Sequence, residues 1–81
     1  LSEERRLELN KFVHQLVEDG RIAVRNVRRD GIHHLQEIGK EDHISEDIIK
    51  DNEGEIQKLT DSHIERLNTL QKEKEEEILE V

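Results

Sequence analysis

Four arginines, Arg21, Arg25, Arg28 and Arg29, fall within nine consecutive residues that hold no acid, in the stretch RIAVRNVRRD. A guanidinium is planar and weakly hydrated, and it donates paired hydrogen bonds that match a phosphate. On a helix, at about 100° of turn per residue, Arg21, Arg25 and Arg28 lie within roughly 60° of one another, and Arg29 some 40° beyond Arg25. The chemistry they offer is the binding of a polyanion. The competing reading is a solvated face neutralised by acids: Glu18 can reach Arg21 or, less directly, Arg25, and Asp30 is adjacent to Arg29, but two acids do not neutralise four arginines.

The rest of the chain offers little other chemistry. His33 and His34 are neighbours and diverge on a helix, His14 and His43 have no spaced partner, and His63 sits on the apolar stripe where a buried, hydrogen-bonded imidazole is expected. No metal ligand set, phosphate loop or nucleophile motif is present. The chain is therefore read as non-enzymatic, with no cofactor and no catalytic residue. Phe12 is the single aromatic residue, which argues against single-strand binding by base stacking and leaves structured RNA or DNA, held by backbone and shape.

The net charge of -8 points away from nucleic acid, but the acid is unevenly spread. Residues 1 to 39 carry seven basic and seven acidic side chains; residues 40 to 81 carry six and fourteen. The first half can meet a polyanion and the second repels one.

The elements that position the arginines follow from composition and spacing. With 42% charged residues, no proline and almost no aromatics, an all-α chain is expected. Ser2 is an N-cap followed by Glu3 and Glu4. Apolar or small residues then step by three and four through Leu9, Val13, Leu16, Gly20, Ala23, Val27, Gly31, Leu35 and Ile38. This places a first helix over about residues 2–39, stopping near Gly39 in a left-handed conformation, with the arginines nearly opposite Ala23 and Val27. A turn follows over 40–45, with Ser45 as the second N-cap and Ile44 stapling onto Ile49. A second helix covers about 46–80, its stripe running Ile49, Asn52, Ile56, Leu59, His63, Leu67, Leu70, Lys74, Ile78 and Val81.

So short a connection forces the helices antiparallel. The expected architecture is a helical hairpin with arms of about 54 Å. Two arms burying one stripe each offset too little of the ordering cost of 81 residues, so a third helix or a partner chain is implied. Gly20 and Gly31 on the stripe suit close approach of another helix. The absence of any methionine, with Leu1 first, is read as a processed or partial protein. Without cysteine, a signal-peptide pattern or an apolar run of membrane length, a soluble, intracellular protein with no membrane partner is expected.

The order of LSEERRLEL, EDGRIAVRNVRRD, ISED, EIQKLTD and KEKEEEILEV resembles the C-terminal portion of the ribosome recycling factor family of bacteria and organelles, over essentially the whole chain. The resemblance implies the second and third helices of a three-helix-bundle domain, with the first helix and an inserted β-rich domain outside this sequence. It also implies a translation factor that docks on the large ribosomal subunit and, with elongation factor G and GTP, disassembles post-termination ribosomes. Arg25, Arg28 and Arg29 stand at the family's rRNA-contacting positions, and Arg21 where a basic residue is usual. A bacterial cytoplasm, or an organelle stroma or matrix, is the implied location. The rival reading is a structural hairpin for protein–protein interaction or self-association without RNA.

Overall fold

A computed structural model describes all residues 1–81. Two helices, α1 (Glu3–Glu41) and α2 (Glu46–Glu80), make up almost the whole chain and pack antiparallel as a rod with Cα extents of 61 × 15 × 9 Å. The fold is the expected all-α helical hairpin. Both N-caps form as the sequence indicates: Ser2 Oγ accepts from the Arg5 amide at 3.1 Å and Ser45 Oγ from the Ile48 amide at 3.4 Å. Each satisfies one of the amides left without a partner in a first helical turn, and acids follow at Glu3, Glu4, Glu46 and Asp47.

The bend differs from expectation. Gly39 is helical, and α1 runs two residues further, to Glu41 with Asp42 as its C-cap. The left-handed residue is His43, at φ 52°, while no glycine has positive φ. Ile44 then donates its amide to the Gly39 carbonyl at 3.0 Å, a six-residue closure that satisfies a terminal carbonyl of α1. Gly39 serves packing instead. A β-carbon there would lie 2.8 Å from Ile49 Cδ1 and 2.9 Å from Cγ1, so the missing side chain is what lets Ile49 of α2 seat on α1 beside the turn. Gly20 meets the expectation of close approach, since a β-carbon would stand 3.3 Å from Leu67. Gly31, with Ile56 at 3.9 Å, has room for a methyl group and does not require glycine.

The seam between the helices is narrower than the apolar stripes. Leu9, Val13, Val17, Gly20, Val24, Gly31, Leu35 and Ile38 of α1 face Ile49, Ile56, Thr60, Ile64, Leu67 and Ile78 of α2, and all are at least partly covered. Leu16, Ala23 and Val27, expected on that stripe, are exposed, as are Asn52, Leu59, His63, Leu70, Lys74 and Val81 of α2. The physical reason is arc width. Steps of three and four trace a band wide enough for two contact directions, as a bundle helix needs. α2 occupies one direction and the other faces solvent. Only Val17, Gly39 and Thr60 are buried in the hairpin, so the two helices do not enclose a core. Thr60 is accommodated because its hydroxyl donates to the Ile56 carbonyl at 2.8 Å.

Candidate nucleic-acid interface and apolar flank

The seam divides the rod into two chemically different flanks. On one, the α1 arginines meet amide side chains of α2. Arg21 donates from Nε to Asn68 Oδ1 at 3.0 Å, from Nη2 to Asn68 Oδ1 at 2.6 Å and Gln71 Oε1 at 2.9 Å, and from Nη1 to Glu18 Oε2 at 3.0 Å. Arg28 donates to Gln57 Oε1 at 3.3 Å, and the Gln57 amide in turn donates to Asp61 at 2.9 Å. Arg25 is exposed and paired with no acid of the hairpin. Arg29 is exposed too, with only Asp30 beside it at 3.7 Å.

The sequence expectation of one outward face opposite the packing stripe is therefore corrected. Residues 24 and 28, not 23 and 27, turn toward α2. Arg21 and Arg28 consequently border the seam and reach across it, whereas Arg25 and Arg29 point away. The four remain neighbours on one flank but have different freedom. Arg25 and Arg29 present unengaged forks, Arg28 gives up one donor in a long bond, and Arg21 is largely spoken for. Of the two partners the sequence offered Glu18, it takes Arg21 and not Arg25.

The amide network continues toward the open end of the rod. Gln71 Nε2 donates to Glu75 Oε1 at 3.1 Å and lies 3.2 Å from His14 Nδ1, while His14 Nε2 is 2.6 Å from Glu75 Oε1. The hydrogen bond from Gln71 is the main cause that holds the Glu75 carboxyl below the usual glutamate range; desolvation opposes it, and the bond to His14 and its charge add to the lowering. Sequence reasoning did not pair His14 with anything, because Gln71 and Glu75 stand on the other arm. His33 instead pairs along its own helix with Glu37 at 2.9 Å. No group of three or more potential ligands capable of holding a metal ion occurs, and no helix is long and apolar enough to cross a membrane.

The opposite flank is apolar. Ala23 and Val27 of α1 and Leu59 and His63 of α2 border an open hollow of about 420 Å³ whose floor includes Val24, Gly31, Ile56 and Thr60, and which Arg28 also lines from the seam. Phe12, Leu16 and Leu70 extend the exposed apolar surface along the rod. His63, expected to be a buried and hydrogen-bonded imidazole, is hydrogen-bonded as expected, Nδ1 donating to the Leu59 carbonyl at 2.8 Å. It is exposed, not buried, because nothing covers this side of the hairpin.

By class, the chain is an all-α antiparallel helical hairpin. Sequence comparison gives the class its family. Residues 1–79 match the family described as ribosome recycling factor. Over 81 residues, covering all of this chain, it is 49% identical to the ribosome-recycling factor of Rubrobacter xylanophilus, of which it covers 44%. It is 48% identical over 79 residues to that of Thermus thermophilus, covering 98% of this chain and 43% of the relative. It is also 42% identical over 81 residues to the chloroplastic ribosome-recycling factor of Spinacia oleracea, covering 30% of the relative. The chain belongs to the ribosome recycling factor family, and it spans less than half the length of these relatives.

Proposed function

We propose that the hairpin is the second and third helices of a three-helix-bundle domain in a translation factor that binds large-subunit rRNA through Arg25, Arg28 and Arg29. With elongation factor G and GTP, the intact protein promotes disassembly of post-termination ribosomes. The observation that carries the binding reading is the asymmetry of the rod at this level: Arg25 and Arg29 present free forks on one flank, with Arg28 held at the seam by a single long bond, while Ala23, Val27 and Leu59 lie exposed on the other. A phosphate backbone needs the first, and a third helix from the remainder of the protein needs the second. The family supplies the ribosome as partner.

In this reading the chain binds and orients, and the GTP chemistry belongs to the elongation factor. Bacterial and chloroplastic relatives are consistent with action in a bacterial cytoplasm or an organelle. The test is direct: post-termination ribosomes incubated with the intact protein, elongation factor G and GTP should release large subunits, and the Arg25→Met/Arg28→Met/Arg29→Met variant should release them far more slowly. Release by the variant at the parental rate would refute the role of that flank.

The rival reading, a hairpin for protein–protein association without RNA, draws on the uncovered apolar flank alone. It leaves the free arginines without a purpose. Sedimentation of the intact protein with and without large subunits separates the two: a self-associated species that ignores subunits would favour the rival.

A further inference from the structure

We infer that Arg21 is a positioning residue and not a phosphate ligand: it clasps α1 to α2 through Asn68 and Gln71, and so sets where Arg25, Arg28 and Arg29 stand. The inference rests on the rRNA-binding reading above and divides the arginine cluster into two kinds of residue.

A guanidinium has five N–H donors. In Arg21 one edge, Nε and Nη2, is closed by the Asn68 carbonyl at 3.0 and 2.6 Å, Nη2 also reaches Gln71 at 2.9 Å, and Nη1 reaches Glu18 at 3.0 Å. The fork a phosphate oxygen pair would use is occupied, and the charge has a carboxylate beside it. The side chain is 22% exposed, against 69% for Arg29. The acceptors are themselves held in place. Because Gln71 Nε2 donates to Glu75, its oxygen must face Arg21, so the orientation of the amide is determined from both sides.

The location gives the clasp its consequence. Arg21 is one helical turn before Arg25 and two before Arg28, on a rod whose seam here is thin and whose Gly20 lies close against Leu67. Rotation or sliding of α1 on α2 at this level would carry the following arginines with it, and each residue of slip moves them by about 1.5 Å. Lysine cannot replace such a clasp, since an ammonium has no planar fork, although it serves a phosphate as a point charge.

That difference supplies the test. Binding of the intact protein to large subunits is measured across a salt series for Arg25→Met, Arg21→Met, Arg21→Lys, Asn68→Leu and the double variant Arg21→Met/Asn68→Leu. Arg25→Met should lower the salt slope by roughly 1, as loss of one phosphate contact does. Arg21→Met and Arg21→Lys should both weaken binding by about three- to tenfold at every salt concentration, the scale of a few lost hydrogen bonds, with the parental slope. Asn68→Leu should reproduce that loss, and the double variant should be no worse than either single change.

Arg21 is a phosphate ligand, and the inference is overturned, if Arg21→Met lowers the slope as Arg25→Met does while Arg21→Lys binds like the parent. It is overturned equally if the Arg21 and Asn68 variants all bind like the parent, or if their losses add. Failure of the underlying reading looks different, because then Arg25→Met itself leaves the slope unchanged; the positioning role falls with it.

Discussion

Arg21 and Arg25 are one turn apart with the same chemistry, yet one is bound to α2 and the other is free. The cluster was legible in RIAVRNVRRD, and so was the Glu18 partner, because both are local. The division within it was not, since Asn68 and Gln71 are 47 and 50 residues away and no spacing rule reaches them. The glycines follow the same rule. Gly39 was read as a helix terminator from its place at the end of a stripe, whereas its use depends on Ile49 across the bend. A contrast checks this. Gly54 has open space at its β-carbon position, so Gly54→Ala should stabilise the hairpin by about 0.5 to 1 kcal/mol. Gly39→Ala should forgo that gain and lower stability, because the new methyl group displaces Ile49. Urea unfolding midpoints of the two variants decide it, and equal stabilisation would show that Ile49 does not depend on the missing side chain.

At the scale of the helices, the N-caps and the antiparallel arrangement could be read directly, because each depends on residues within a few positions, whereas the end of α1 was misplaced at Gly39. The faces could not be assigned fully. A three-and-four periodicity shows that a helix has an apolar arc but does not show which part of the arc meets the neighbour. Here the seam took Val24 and left Ala23 and Val27 exposed, which is why Arg21 and Arg28 border it while Arg25 and Arg29 do not. The His14–Gln71–Glu75 set, which ties the helices together toward their open end, gives a pH prediction. The Glu75 carboxyl is held below its ordinary value, so the folded state favours its ionised form. That contribution is fully present above the unfolded-state value of about 4.3 and is lost as pH falls through the lower folded value. Glu75→Gln should therefore flatten the decline of stability with acid in that range, measured by thermal unfolding at a series of pH values. An unchanged acid limb would show that Glu75 gains nothing from Gln71 and His14.

At the scale of the molecule, the hairpin buries little, only Val17, Gly39 and Thr60. The expectation of a third helix came from too little apolar burial for the chain length, and the third helix proposed above would cover the hollow beside Ala23, Val27, Leu59 and His63. Val27 is 72% and Leu59 61% exposed in the hairpin. Val27→Asp or Leu59→Asp should thus change the stability of the 81-residue hairpin by no more than about 0.5 kcal/mol. In the intact protein the same changes should cost about 2 kcal/mol or more, since each would bury a carboxylate without a partner. Equal, small effects in both would mean that this flank stays open.

The binding flank is tested most directly by the salt dependence of large-subunit binding for the intact protein and its Arg25→Met/Arg28→Met/Arg29→Met variant. If the three forks meet rRNA phosphates, parental affinity falls steeply with salt, and the variant binds more weakly at low salt with a slope smaller by roughly 3, one for each lost contact. A variant that binds as tightly as the parent at both low and high salt would contradict the assignment of this flank to rRNA.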